Sequence, residues 1–151
     1  MKVVLTAVKN AKVEIDQKIV GQIERGYLLL VGFTNGDNKQ TIEKMVDKIL
    51  SLRVFPDNNG KTNLSLQDVN GQILSISQFT LYADVVKGRR PSFVDALRPE
   101  AASELYDYFN DYLSSLIGYP VPRGVFGADM KVFSINDGPF TLLLDSKEIV
   151  K

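Results

Sequence analysis

Polar and apolar residues alternate along the first third of the chain, and the spacing then becomes helical. Residues 2–8 are rich in β-branched side chains and isolated apolar residues recur over 13–23, which predicts antiparallel strands joined by turns. Residues 27–33 are almost continuously apolar, as expected of a strand covered on both faces. The helix that follows should begin at a capping box formed by Asp37 and Gln40. Its apolar stripe contains Ile42, Met45, Val46, Ile49 and Leu50.

The second half predicts a further strand over 73–81, a long helix, and closing strands over 130–135 and 140–145. The long helix should open at Pro99 and stop at Gly118. Its apolar face contains Leu105, Tyr108, Phe109, Tyr112, Leu113 and Leu116. Two amphipathic helices among about seven strands indicate an α+β fold with a mostly antiparallel, barrel-like sheet. We expect residues 1–151 to form a single domain.

Composition and charge exclude several classes of protein. Of the 151 residues, 44% are hydrophobic and 24% are charged, which is ordinary for a globular chain and argues against disorder. The 18 basic and 18 acidic side chains balance, so bulk attraction to DNA or to an anionic membrane is not expected. RNA would have to bind at a local basic patch. Because no signal peptide or membrane-length apolar stretch is visible, we expect a cytoplasmic protein.

The chain contains no Cys and no His. Without these residues there is no thiol nucleophile, no zinc site built from Cys and His, and no Ser-His-Asp arrangement. We expect neither a metal nor a cofactor. Any catalysis must therefore use hydroxyl, amide, carboxylate or cationic side chains, backbone groups, or the substrate itself.

A polar segment, Ser77-Gln78-Phe79-Thr80, lies near the end of the strand predicted over 73–81. Alternation along a strand would place Gln78 and Thr80 on one face. Polar side chains at the end of a buried strand need partners or a ligand. The pattern alone favours hydrogen bonds to a neighbouring loop over a ligand site.

A basic segment, Lys87-Gly88-Arg89-Arg90-Pro91, follows a few residues later. Cations beside a glycine form a loop suited to phosphate oxygens. Such clusters are more often solvated turns, but closeness to the polar segment raises the odds of a functional role.

A third segment, Asn136-Asp137-Gly138-Pro139, separates the two closing strands. Asp-Gly is a strong signal for a hairpin turn, and this is the simplest interpretation. The proline adds a second interpretation, because Gly-Pro bonds can be cis and a fixed corner would present two bare carbonyl groups.

In their order and spacing, these segments resemble the D-aminoacyl-tRNA deacylases, also called the D-tyrosyl-tRNA(Tyr) deacylase family. The likeness is carried by Ser77-Gln78-Phe79-Thr80-Leu81, Lys87-Gly88-Arg89-Arg90-Pro91-Ser92-Phe93, Gly124-Val125-Phe126-Gly127-Ala128-Asp129-Met130 and Asn136-Asp137-Gly138-Pro139-Phe140-Thr141. One departure is Thr6-Ala7, where the family usually has Gln-Arg and the arginine braces the Gly-Pro corner.

The resemblance implies a homodimer whose active site lies at the subunit interface and takes the 3′ end of aminoacyl-tRNA. The implied catalytic segment is Ser77, Gln78, Phe79 and Thr80, and Gly138 and Pro139, joined by a cis bond, select chirality from the partner subunit. The implied contacts with substrate or tRNA are Lys87, Arg89, Arg90, Phe126, Ala128, Met130 and Asn136.

The reaction implied by the resemblance is hydrolysis of the ester of a D-amino acid on tRNA, with glycine mischarged on alanine tRNA also accepted. Since no base is available to activate Thr80, we favour catalysis assisted by the ribose 2′-hydroxyl, with covalent catalysis by Thr80 as the minor alternative. A second hypothesis is a non-catalytic module that binds tRNA ends or free D-amino acids.

Overall fold

One long strand, β1, organises the sheet. The structure is a computed structural model that describes residues 1–151. Its elements are β1 (Lys2–Ile15), β2 (Lys18–Ile23), β3 (Gly26–Gly32), α1 (Lys39–Ser51), β4 (Phe55–Pro56), β5 (Thr62–Leu64), β6 (Gln72–Ser77), a 3₁₀ turn (Phe79–Tyr82), α2 (Pro99–Ile117), β7 (Lys131–Asp145) and α3 (Ser146–Ile149). The fold is α+β, as predicted.

The main sheet is mostly antiparallel. Strand β1 pairs antiparallel with β2, β3 and β7, and β3 pairs parallel with β6. The β1–β2 turn has positive φ at Asp16 (50°) and Gln17 (65°), the backbone of a type I′ hairpin that follows the twist of its strands. Because β1 carries β3 along its first half and β2 along its second, the sheet curls into a half-barrel.

The main core lies between this sheet and the two long helices. Buried side chains of α1 and α2 pack against those of β1 and β3, and the most deeply buried include Leu5, Tyr27, Leu29, Ile42, Met45, Ile49, Tyr106 and Phe109. Apolar burial of this kind contributes about 25 cal/mol for each Å² removed from water. None of the helices is both long enough and apolar enough to cross a membrane.

The helix boundaries confirm one prediction and correct another. Helix α2 begins at Pro99 and stops at the C-cap Gly118, directly after Ile117, and the Gly118 φ of 87° suits glycine. Its buried face differs in detail, because Tyr106 is buried while Leu116 is half-exposed. The predicted capping box of α1 is wrong. Asn38 caps the helix by accepting from the Thr41 N–H at 2.9 Å.

Strand β6 is shorter than predicted. It ends at Ser77, and the 3₁₀ turn follows in place of a strand to residue 81. The Gln78 N–H still donates to the Val31 carbonyl of β3 at 2.8 Å, and after this bond the chain turns away from β3. The predicted alternation of faces therefore does not extend through Phe79 and Thr80.

The hairpin predicted at residues 136–139 is absent, and β7 is one continuous strand. Thr141 pairs with Thr6 and Asn136 pairs with Val8, so residues 137–140 stand opposite Ala7 alone. These residues form a wide bulge. Asp137-Gly138 favours a turn locally, but both halves of β7 pair antiparallel with the same long strand β1, and this pairing keeps β7 running in one direction.

Candidate active site

A cavity of about 640 Å³ lies where β6 ends and α2 begins. Six residues singled out in the sequence line it: Ser77, Gln78, Phe79, Phe126, Ala128 and Met130. The remaining lining residues are Ile76, Phe93, Ala96, Leu97, Arg98, Pro99, Ala102, Gly127 and Val132. The wall is mainly apolar with a few polar groups, which is typical of a site for a small organic group.

The first wall is fixed by the turn that follows β6. The Gln78 side-chain amide donates to the Thr80 hydroxyl oxygen at 2.5 Å. The two side chains therefore bond to each other, and neither bonds to the neighbouring loop that was predicted as their partner. Thr80 is exposed beside the cavity and does not line it. The N–H groups of Phe79 and Thr80 open the 3₁₀ turn, and the first N–H groups of a helix have no partner inside it.

The opposite wall is the segment of residues 122–130, whose first residues run alongside β6. The Ser75 N–H donates to the Pro122 carbonyl at 3.0 Å, and the Gly124 N–H donates to the Ser75 carbonyl at 3.1 Å. A Cβ on Gly124 would lie 2.3 Å from the Met130 sulfur, so a larger residue at position 124 would displace the Met130 side chain. Phe126, Ala128 and Met130, farther along the same segment, line the cavity.

Tyr106 supports this wall from beneath. Its hydroxyl donates to the Ser75 carbonyl at 2.8 Å, and its ring lies 6.1 Å from that of Phe126, measured between centroids. Burial raises the pKa of Tyr106 above its ordinary value. The tyrosine therefore stays neutral and acts as a hydrogen-bond donor within the wall.

The predicted basic loop rises from the rim of the cavity. Asp84 and Ser92 close its base with hydrogen bonds of 2.7 and 2.8 Å between their backbone groups. Lys87, Arg89 and Arg90 are exposed and form no ion pair. Next to the base, the rings of Phe79 and Phe93 meet edge to face with centroids 5.0 Å apart, which connects the loop to the cavity.

The Gly138–Pro139 corner forms the exposed part of the β7 bulge. Its peptide bond is cis and Gly138 has a φ of 140°. Asn136 closes the base, because its side chain accepts from the Phe140 N–H at 2.8 Å and donates to the Thr141 hydroxyl at 2.9 Å. Gly138, Pro139 and Asn136 do not line the cavity of their own chain.

Sequence reasoning missed the part of the wall that begins α2. Ala96, Leu97, Arg98 and Ala102 line the cavity, whereas in the sequence this region shows only Pro99 as a helix start. No local signal marks them. They reach the cavity because the Leu97 N–H bonds to the Phe33 carbonyl at 3.0 Å, which is a contact between distant parts of the chain.

Comparison with known proteins agrees with this architecture. The family model described as D-Tyr-tRNA(Tyr) deacylase matches residues 4–145. A D-aminoacyl-tRNA deacylase from Lactobacillus acidophilus (strain ATCC 700396 / NCK56 / N2 / NCFM) is 57% identical over 145 residues, covering 96% of this chain and 99% of that protein.

Two solved structures are also similar. A c-Myc DNA unwinding element binding protein has a TM-score of 0.89 at 39% identity, covering 96% of this chain and 98% of that one. A probable eukaryotic D-amino acid tRNA deacylase has a TM-score of 0.82 at 20% identity, covering 95% and 97%, and at this identity the likeness shows the fold alone. With the family match extending over residues 4–145, the chain belongs to the D-Tyr-tRNA(Tyr) deacylase family.

Proposed function

We propose that this protein hydrolyses the ester joining a D-amino acid to the terminal ribose of tRNA, with residues 1–151 acting as one catalytic domain. As a member of a deacylase family, the chain is a hydrolase of the aminoacyl-tRNA ester bond. The observation that carries the finer proposal is the cavity between the Ser77-Gln78-Phe79 wall and the wall of Phe126 and Met130. Its volume of about 640 Å³ is in the range of pockets that hold small organic ligands.

The chemistry available in the cavity favours catalysis assisted by the substrate. The lining contains no carboxylate, amine or phenol, and the chain has no thiol or imidazole. An aminoacyl ester is already activated, so positioning and electrostatic stabilisation are sufficient help. The ribose 2′-hydroxyl orients a water, whose oxygen attacks the carbonyl carbon. The bond between the acyl carbon and the ribose ester oxygen then breaks. That oxygen takes up a proton of the water, and the products are the free amino acid and tRNA with its terminal hydroxyl.

The turn after β6 supplies the protein's part of this mechanism. The N–H groups of Phe79 and Thr80 donate to the oxygen that becomes negative as water adds. Thr80 holds the substrate through its hydroxyl. Because the Thr80 oxygen already accepts from Gln78, its own proton is free to be donated to the substrate.

Chirality is selected by exclusion of the L-substrate. The Gly138–Pro139 corner presents backbone carbonyls with almost no side chain around them, and such a rigid surface clashes with a side chain of one hand. Glycine has no side chain to exclude, so glycyl esters, including glycine mischarged on alanine tRNA, are also hydrolysed.

A second copy of the chain supplies this corner, since the corner does not line the cavity of its own chain. Strand β7 supports a homodimer, because its apolar residues Phe133, Ile135 and Leu143 are exposed at 47–66%. An exposed apolar patch typically marks an interface, and two-fold dimers are the commonest closed assembly. In such a dimer each active site contains residues of both chains, as the resemblance to the family implies.

The basic loop binds the phosphate backbone of tRNA. The reaction takes place in the cytoplasm, where aminoacyl-tRNA is used. Lys87, Arg89 and Arg90 are free to contact phosphates next to the cavity rim. Asn136 acts indirectly by holding the bulge. A zero net charge favours this local contact over general binding to DNA or to membranes.

Multiple-turnover deacylation tests the proposal. Protein at one-hundredth of the concentration of D-tyrosyl-tRNA should discharge all of it. Binding without discharge, or protection of the ester, would instead support the module that binds tRNA ends or free D-amino acids. For the shared site, a mixture of Thr80→Ala and Gly138→Ala chains should be more active than either variant alone, since one site in each mixed dimer is intact. A fully active monomer would contradict the shared site.

A further inference from the structure

We propose that Arg98 forms an anion subsite at the cavity rim and binds the phosphodiester on the 5′ side of the terminal nucleoside of tRNA. This inference rests on the proposed function. Among the residues that line the cavity, Arg98 is the only one with a charged side chain. It adds a binding group beyond the basic loop, whose three cations lie outside the lining.

The Arg98 side chain has no partner within the protein. Its guanidinium takes part in no ion pair, although the acidic residues Asp95 and Glu100 are close in sequence. In contrast, Arg123 faces Asp111, and Arg53 bonds to Asn63. Arg98 is exposed and borders a mainly apolar cavity, so its unpaired guanidinium retains all five of its N–H donors for a ligand.

The backbone around Arg98 is held at both sides. The Leu97 N–H donates to the Phe33 carbonyl at 3.0 Å, which ties the preceding residue to the end of β3. The Arg98 carbonyl accepts from the Ala102 N–H at 2.9 Å, which begins α2. The exposed Arg98 side chain therefore extends from a backbone that is fixed beside the cavity.

The chemistry of the substrate identifies the anion. In an aminoacyl ester the amino acid has no free carboxylate, because that group forms the ester. The anion nearest to the reacting carbon is the phosphodiester attached to the 5′ oxygen of the same nucleoside. A guanidinium matches two phosphate oxygens with parallel N–H donors. Arg98 thus fixes how deeply the terminal nucleoside enters the cavity.

The test measures binding of two non-hydrolysable ligands by calorimetry. Both are 3′-amino-3′-deoxyadenosines that carry a D-amino acid in amide linkage, one with a free 5′-hydroxyl and one with a 5′-phosphate methyl ester. For the unchanged protein, the phosphate should tighten binding about ten-fold, the value of one hydrogen-bonded charge pair at an exposed rim. Arg98→Gln should bind both ligands equally, and Arg98→Lys should keep part of the preference because it retains charge without the fork.

Arg25→Gln is the matched control, because Arg25 lies against the Phe55 ring and does not line the cavity. It should keep the full preference for phosphate. Equal binding of both ligands by the unchanged protein, or a preference that persists in Arg98→Gln, would overturn the inference. Since the ligands cannot be hydrolysed, this outcome is separate from a failure of the proposed deacylase activity, which would appear as absence of turnover.

Free D-amino acid provides a second arm. Its carboxylate could also pair with a guanidinium, which would make Arg98 a product site. If Arg98 binds the phosphodiester, Arg98→Gln should leave the affinity for free D-tyrosine unchanged. A loss of that affinity in place of the phosphate preference would overturn the phosphate assignment.

Discussion

At the candidate site, the Gln78 side-chain amide donates a hydrogen bond of 2.5 Å to the Thr80 hydroxyl oxygen. It fixes the threonine as an acceptor toward the amide and leaves its proton for another acceptor. Activation of Thr80 as a nucleophile would require a base to take that proton, and the side chain bonded to its hydroxyl is the Gln78 amide, which cannot act as a base. The contact therefore favours a positioning role for Thr80.

Thr80→Ala should lower kcat/KM for D-tyrosyl-tRNA by about ten-fold, which corresponds to the loss of one hydrogen bond. Thr80→Ser should restore most of the activity because it keeps the hydroxyl. Removal of a covalent nucleophile typically costs about 10⁴-fold or more. A loss of that size in Thr80→Ala, measured by single-turnover deacylation, would contradict the positioning role and support covalent catalysis.

Gly138→Ala should reduce deacylation of the D-substrate by about ten-fold or more, as changes of one carbon in a shaped pocket do. At the Gly138 φ of 140°, an added Cβ would lie 3.0 Å from the Phe140 nitrogen, so the corner must move. Gly60→Ala is the control, because Gly60 also has a positive φ (75°) but an added Cβ there meets nothing within 4 Å.

The comparison uses the ratio of D- to L-tyrosyl-tRNA rates. Gly60→Ala should keep the ratio of the unchanged protein, while Gly138→Ala should lower it. If Gly138→Ala retains the full ratio and full activity, the corner does not select chirality.

Much of the fold was predictable because its signals are local. Pro99 and Gly118 mark the two ends of α2 in the sequence itself, and the structure uses both. The bulge at residues 137–140 was not predictable in this way. Asp-Gly normally turns a strand back, and only the pairing of β1 with both halves of β7 shows that the strand continues.

The candidate site was predictable to a similar extent. Ser77 and Gln78 stand out as polar residues at the end of an apolar strand, and they line the cavity. Arg98 did not stand out, because a single arginine before a helix is ordinary. Its place depends on the contact of Leu97 with Phe33, two residues far apart in sequence, and such contacts leave no local pattern.

The basic loop should contribute to binding through charge alone. Replacing Arg89 and Arg90 together with Gln should raise KM and reduce the slope of log KM against log salt by about one unit for each lost phosphate contact. Lys44→Gln with Lys48→Gln removes the same charge from α1, away from the cavity lining, and should leave the slope unchanged. An unchanged slope in the loop variant would show a solvated turn.

Tyr27 allows a test of the core. Its hydroxyl is buried with no hydrogen-bond partner, so Tyr27→Phe should be neutral or stabilising by up to about 1 kcal/mol. The Tyr106 hydroxyl donates to the Ser75 carbonyl, and Tyr106→Phe should instead destabilise by about 1 kcal/mol. Urea denaturation measures both, and equal effects would contradict the assigned contacts.

Tyr27 should also make the free energy of unfolding depend on pH. Burial raises the pKa of Tyr27 above its ordinary value of 10.0, so above that pH the unfolded chain loses a proton that the folded chain keeps. The free energy of unfolding should therefore fall as pH rises past about 10. Tyr27→Phe should lose less stability than the unchanged protein between pH 9 and 11, and an identical loss would contradict the burial of this group.

The most direct test of the central claim is the time course of deacylation of matched D- and L-tyrosyl-tRNA by catalytic amounts of the protein at neutral pH. The account predicts complete discharge of the D-ester over many turnovers, while the L-ester decays at the rate seen in buffer alone. Glycyl-tRNA should behave like the D-ester. Equal discharge of the D- and L-esters, or no discharge of either above the buffer rate, would contradict the assignment of a deacylase selective for D-amino acids.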